Sequence, residues 1–374
     1  MVTTTINVPR FLSDLLRNAR RYGHDEQLSV WVVGDRKTPG AAAEFLADLD
    51  RNHAATVKYL DLADQCRLLR RWPVLDLFVR YDCIQRRNVG YLQAALHGAE
   101  VIVSVDDDNF MTDDDFIGHH LVVGREVEVP VVGHPSGWWN VCQRLLSDPP
   151  RRFYHRGYPK SKRDFHAGGE DVRTEKVRAV INAGLWLGVP DVDATTHLEE
   201  PIEIVSVDPV SGQRTCALAA GTWCPVNSQN TAFDVGLLPA MYLPIMLDPI
   251  RGYRMGRMED VWMSYFVRSI ADRRGDAVLN GPPLVVQKRN PHDHLTDLTE
   301  ELAGYILTER LVRYLRPFRT TAATYGEAYL ELIYHLRDQA EADTSLELPE
   351  REYLRQLTLG MAAWHTAVTD VLDR

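Results

Sequence analysis

The chain has little that would tie it to a membrane, a nucleic acid or an oxidising compartment. Its 374 residues include 5 cysteines, Cys66, Cys83, Cys142, Cys216 and Cys224, widely spaced and without a Cys-X-X-Cys pair. That odd, scattered set argues against a disulfide framework and against a zinc or iron–sulfur centre, and reads as reduced core thiols. A net charge of −10 disfavours a general nucleic-acid or anionic-membrane binder. No apolar run is long enough to span a bilayer, and the opening Val2-Thr3-Thr4-Thr5-Ile6 carries no basic and apolar leader, so the expected location is cytoplasmic. Gly-X-Gly-X-X-Gly is missing after the first apolar run, and Gly-X-X-X-X-Gly-Lys is missing throughout. Without the dinucleotide fingerprint and the P-loop, no flavin is expected.

What is present is a globular composition, 45% hydrophobic and 25% charged, in a chain long enough for one large domain or two. The first third alternates apolar runs with amphipathic stretches, which predicts an α/β fold with a mostly parallel sheet between helices. Strands are expected at 2–6, 28–33, 56–59 and 100–105, and helices at 11–22, 41–52 and 84–96. A nucleotide would sit where the strand ends converge. Residues 121–171, rich in Gly, Pro, Arg and His, read as an inserted active-site segment, and 180–249 as a second strand-prone block. Three helices are expected at 295–315, 321–340 and 349–372, which divides the chain into a catalytic domain over 1–294 and a helical region over 295–374. The stripe Tyr353, Leu357, Met361, Trp364, Val368 and Leu372 predicts a core face or a surface for homo-oligomer assembly.

The chemistry concentrates at Val105-Asp106-Asp107-Asp108-Asn109, which follows the apolar run 99–104 and so lies at the carboxyl end of a buried strand. Asp106 and Asp108 there suit a hard divalent cation, Mn²⁺ or Mg²⁺, bridging to substrate phosphates, with Asp107 beside them. The competing reading, a solvated acidic turn, fits Asp113-Asp114-Asp115 better. Thr4 and Thr5 end the first strand, and Asp35 follows the second in Gly34-Asp35-Arg36-Lys37-Thr38, placed to meet a nucleotide base or simply to shape a turn. Arg87 opens the helix before the acidic strand, where it can pair with a diphosphate or with the Asp cluster.

A run of collinear motifs then narrows the reading. Arg156-Gly157-Tyr158-Pro159, with Arg163 following, resembles the Arg-Gly-Tyr-Pro stretch of the reversibly glycosylated polypeptide family, the plant UDP-arabinopyranose mutases. Gly184-Leu185-Trp186-Leu187 with Asp191-Val192-Asp193, Asn230-Thr231-Ala232-Phe233-Asp234, Pro239-Ala240-Met241-Tyr242 and Gly256-Arg257-Met258-Glu259-Asp260-Val261-Trp262 continue the likeness in order. It is strongest over 100–267 and weaker toward the N-terminus. The resemblance implies a GT-A-like, Rossmann-like nucleotide-sugar fold, a Mn²⁺ or Mg²⁺ requirement, and interconversion of pyranose and furanose sugars without flavin. In that family the first arginine is associated with reversible self-glycosylation and the second with mutase activity, which carries over to Arg156 and Arg163. Two departures stand out: Asn109 replaces the usual Cys, and the family's Tyr-X-Tyr-His reads Leu284-Val285-Val286-Gln287. His292 or His294 is then a candidate metal ligand or a capping histidine.

Read from the residues alone, a cation on Asp106 and Asp108 would neutralise a diphosphate leaving group as the anomeric bond breaks. Arginine stays protonated, so Arg156 is expected to clamp diphosphate in preference to a covalent role. Glu259 or Asp260 would orient sugar hydroxyls or accept a proton, or else serve a helix N-terminus. The same residues fit a glycosyltransferase with an external acceptor, and a self-glycosylated scaffold is a third reading. Whether the base is uracil or guanine, in a UDP- or a GDP-sugar, stays open.

Overall fold

In the computed structural model, which describes residues 1–163, 168–246, 249–290 and 292–374, the alternating runs of the first third form parallel strands. Strands β1 (Val2–Thr5), β2 (Ser29–Gly34), β3 (Thr56–Leu60) and β4 (Val101–Val105) are interleaved with α1 (Phe11–Arg21), α2 (Ala41–Asn52), α3 (Leu62–Leu69), α4 (Pro73–Asp76) and α5 (Arg87–Leu96). Their order in the sheet is β3-β2-β1-β4, all parallel. Gly90 lets α5 lie close on β1, because a Cβ there would stand 2.4 Å from Val2 Cγ1.

Beyond β4 come β5 (Asn109–Met111), α6 (Phe116–His120), β6 (Glu126–Gly133), β7 (Leu145–Asp148), β8 (Asp171–Gly188), α7 (Ala194–Glu199), β9 (Glu203–Val207), β10 (Cys216–Leu218), β11 (Asn230–Asp234), α8 (Glu259–Arg274) and β12 (Asp276–Gln287). They continue the 12-stranded sheet as β4-β11-β8-β6-β10-β12-β5, mostly antiparallel, so the sheet as a whole is mixed in the GT-A-like manner. Within the segment read as an insertion, 121–163 and 168–171 are described. It contributes two strands, β6 and β7, and the loop carrying Arg156.

The antiparallel pairings decide what meets the acidic run. Asn230, first in β11, lies opposite Val105, and Gln287, last in β12, lies opposite Asn109. The polar segment before β11 therefore reaches the end of β4, where the Asp106 amide donates to the Gln229 carbonyl at 3.1 Å.

Helices α9 (His294–Leu315), α10 (Tyr325–Ala342) and α11 (Leu348–Leu372) complete the chain and share one hydrophobic core with the sheet. The α11 stripe is buried inside this chain from Tyr353 to Val368, and only Leu372, 40% exposed, leaves it. Tyr353 and Trp364 fix that face by donating to the Ile245 and Leu238 carbonyls at 3.0 and 3.2 Å. Among the described residues no helix is long and apolar enough to cross a membrane.

Candidate functional site

Two buried clusters face each other at the carboxyl ends of the strands. The first is built on Arg87, whose side chain is 1% exposed. Its guanidinium donates to Asp106 at 2.5 Å, to Thr4 Oγ1 at 3.0 Å, to Ser104 Oγ at 3.2 Å and to Ser228 Oγ at 2.8 Å. Arg87 thus holds Asp106, while the adjacent Asn88 clamps Leu243 through both its backbone groups at 2.9 and 3.0 Å. Thr5 donates to Asp107 at 2.6 Å. Burial raises the Asp107 carboxyl, and it raises Asp108 to about 7 with the charges of Asp106 and Asp107 adding to the effect. Asn109 donates to Asp108 at 3.0 Å, and Gln287 is its other side-chain donor.

The second cluster is centred on Arg156, whose Gly157 neighbour has φ +74° and leaves no room for a Cβ, which would meet Val261 Cγ1 at 2.3 Å. Arg156 donates Nε to Asp191 at 2.7 Å, a terminal nitrogen to Asp260 at 2.9 Å, and its other terminal nitrogen to the Arg257 carbonyl. The guanidinium expected to clamp diphosphate is therefore committed to two buried carboxylates, an arrangement that orders the site. Asp193, fully buried, accepts from Lys160 at 2.9 Å, from the Gly157 amide at 3.3 Å and from Arg163. Arg163 also lies over the Tyr154 ring, 5.0 Å from its centroid. Tyr158 packs between Trp138 and Tyr154, with centroids 5.3 and 5.0 Å away.

Glu259 and Asp260 open α8. Asp260 is the partner of Arg156, whereas Glu259 Oε2 is buried with no hydrogen-bond partner. Burial and the adjacent Asp260 charge lift the Glu259 carboxyl to about 7.

Other expected residues have structural roles here. Asp35 accepts from the Arg36 amide at 2.8 Å and the Asp82 amide at 2.6 Å, so it shapes its turn. Asn230 bonds the Leu185 carbonyl at 3.0 Å and His120 at 3.0 Å, joining β11, β8 and α6. Trp186 is 2% exposed with its ring edge-on to His155. His292 and His294 lie beside Asp297 at the start of α9. Both direct Nδ1 at Asp297, at 3.1 and 3.5 Å, and a stacked column of His197, His294 and His292 forms beside that carboxylate.

Among the described residues no group of three or more His, Cys, Asp or Glu side chains is arranged to hold a metal ion. Asp106 and Asp108 nevertheless fit one as a partial set. Their oxygens are hard donors, Arg87 pairs with Asp106 while burial and the neighbouring carboxylates still raise Asp108, and a phosphate-bound Mg²⁺ or Mn²⁺ needs only one or two protein carboxylates. A cavity of about 420 Å³ lined by Met1, Trp31, His97 and Val101 lies at the opposite ends of β1, β2 and β4, away from all of this chemistry. The residues that sequence reasoning passed over are Asn227, Ser228 and Gln229. Their signal was four consecutive polar residues, 227–230, at the head of an apolar strand.

Comparison with known proteins agrees with the geometry. The reversibly glycosylated polypeptide family matches residues 75–370. UDP-arabinopyranose mutase 1 of Arabidopsis thaliana is 30% identical over 59% of this chain and 56% of its own length. UDP-arabinopyranose mutase 3 of the same plant is 29% identical over 70% of this chain and 66% of its own. For probable UDP-arabinopyranose mutase 2 of Solanum tuberosum the identity is 28% over 64% of this chain and 60% of the relative. The chain thus spans less than two thirds of these relatives' length. With the family match covering most of the chain, including Arg87, the acidic triplet and the Arg156 cluster, the chain belongs to the reversibly glycosylated polypeptide family.

Proposed function

We propose that this protein is a flavin-independent, metal-dependent mutase that interconverts the pyranose and furanose forms of a nucleotide sugar. The observation that carries the reading is the juxtaposition of the Arg87–Asp106 pair and its neighbouring carboxylates with the buried Arg156–Asp191–Asp260 core, within a family whose relatives bear the name UDP-arabinopyranose mutase. Asp106 and Asp108 would hold a Mn²⁺ or Mg²⁺ ion, which would supply charge neutralisation for the diphosphate.

The bond from the sugar's C1 to the diphosphate oxygen breaks, and O4 bonds to C1 as its proton leaves. The C1–O5 bond then breaks, O5 takes a proton, and the diphosphate oxygen returns to C1. Every atom of the substrate is retained. Glu259, with one free buried oxygen and a carboxyl near 7, is suited to carry the proton between O4 and O5. Arg163 and Lys160, both anchored on Asp193, bring positive charge to the loop that follows Arg156.

The test is product analysis with a panel of UDP- and GDP-sugars, Mn²⁺ and no acceptor. Ring-contracted or ring-expanded nucleotide sugar is the expected product, formed by colourless protein without reductant. Hydrolysis alone would point to a transferase, and label found only on the protein would point to a scaffold. The panel also identifies the base, since the family match begins at residue 75 and leaves β1 to β3 outside it.

A further inference from the structure

Arg156 is locked, and Arg87 is matched with Asp106, which leaves open what receives the diphosphate. The chain returns to the acidic triplet after β12, where the Lys288 amide donates to the Asp108 carbonyl at 2.9 Å. The next side chain, Arg289, is 8% exposed. Its guanidinium lies 2.9 Å from His197 Nε2, and the nearest carboxylate oxygen among the described residues, on Asp297, is 3.9 Å away. Three other arginines of the site differ. Arg156 has carboxylates at 2.7 and 2.9 Å, Arg257 at 2.9 and 3.2 Å, and Arg87 at 2.5 Å.

Arg289 is therefore oriented without being neutralised. An imidazole nitrogen that accepts from a guanidinium must be unprotonated, and burial together with Arg289 and His294 holds His197 down at about 4. The imidazole fixes the direction of the guanidinium and cancels none of its charge. Burial, then the charges of Arg257 and Arg156 against those of Asp191 and Asp297, lowers Arg289 itself, as expected of a cation missing an anion. A planar, pre-oriented, under-neutralised guanidinium is a receptor for phosphate oxygens.

We infer that Arg289 binds the diphosphate of the nucleotide sugar, with His197 as its positioning residue. This rests on the nucleotide-sugar reading of the same site. The experiment is calorimetric titration of the wild-type chain, Arg289→Gln and Arg289→Lys with UDP, GDP, UMP and GMP in the presence of Mn²⁺, with thermal melting of each protein as the folding control.

The wild type is expected to bind one nucleoside diphosphate more tightly than its monophosphate. Arg289→Gln should lose about tenfold or more in diphosphate affinity while monophosphate binding stays within about twofold, and Arg289→Lys should fall between. If Arg289→Gln does not fold, the Arg289→Lys comparison decides by the same criterion. Wild-type diphosphate affinity in the folded variants overturns the role of Arg289 alone. Failure of the wild type to bind either diphosphate overturns the nucleotide-sugar reading, and the role of Arg289 with it.

Discussion

Asn227 donates its side-chain amide to Asp191 at 2.7 Å, and the same nitrogen reaches Gln229 Oε1 at 2.8 Å. Gln229 in turn donates to Gln287 at 3.1 Å and to Asn109 at 3.3 Å, and those two residues both serve Asp108. A continuous line of buried side-chain hydrogen bonds thus runs from the acidic triplet to the Arg156 core. Asn109 and Gln287, the two departures from the family pattern, meet on one amide. Fully satisfied networks of this kind set the spacing of what they connect.

Gln229→Leu tests that line. The change keeps the volume close but strands the Gln287 and Asn109 carbonyl oxygens, and an unsatisfied buried polar group costs about 1–3 kcal/mol. Urea denaturation is expected to show a loss in that range, with turnover reduced as well. Wild-type stability would mean that the network contributes nothing net.

Arg156 and Arg163 are expected to separate under conservative substitution. Arg156→Lys leaves Asp191 and Asp260 without the planar fork that satisfies both, and breaking such a buried pair costs about 3 kcal/mol or more. Arg163 shares the buried Asp193 with Lys160, which keeps that carboxylate paired when the fork is lost, so Arg163→Lys should cost less stability than Arg156→Lys. Its turnover should fall by roughly thirty-fold or more if the planar fork is used on the substrate. Melting curves and steady-state rates for both variants check this. Equal destabilisation would put Arg163 in the same structural class as Arg156.

Much of this was legible in the sequence because it depended on local pattern. The apolar period placed α2 at Ala41–Asn52, and it placed α11, expected from residue 349, within one residue of its observed start. The strand-end position of Asp106 followed from the run before it. The remainder depended on contacts distant in sequence. Arg156 meets its carboxylates 35 and 104 residues away, and no spacing rule distinguishes a clamp for substrate from a clamp for the fold. Asp35 was chosen by its position after a strand and Asn230 by its place in a family motif, and their partners turned out to be backbone groups and, for Asn230, a buried histidine as well. The long β8 carries charged residues over its first half and apolar ones over its second, which hid an 18-residue strand from periodicity alone.

Metal dependence is expected to show in two opposite effects of Asp108→Asn. Removing a buried carboxylate that is repelled by Asp106 and Asp107 should raise the melting temperature of the metal-free protein. The same change removes a proposed ligand, so Mn²⁺ should bind at least about tenfold more weakly and turnover should nearly vanish. EDTA should abolish wild-type activity, and Mn²⁺ should restore it. Calorimetry with Mn²⁺ alone and melting in EDTA are the measurements. Full turnover after rigorous chelation removes the metal from the reaction.

Glu259 gives the pH dependence its sign. The folded carboxyl titrates near 7, above the ordinary value of 4.5 that it has when unfolded, because burial and Asp260 oppose its charge. Between those values the folded state keeps a proton that the unfolded chain has lost, so this residue makes stability fall as pH rises through about 4.5 to 7. Above 7 the full penalty applies, about 3 kcal/mol for a shift of that size. Glu259→Gln cannot ionise. It should match the wild type near pH 4 and exceed it at pH 8 by up to about 3 kcal/mol. If Glu259 also carries the proton between the sugar oxygens, turnover of the variant should fall by about 10²–10⁴ at every pH despite the added stability. Denaturant titrations at both pH values, paired with rates, separate the two roles. A stability difference that does not change with pH would mean that Glu259 titrates normally, and an unimpaired rate would remove it from the chemistry.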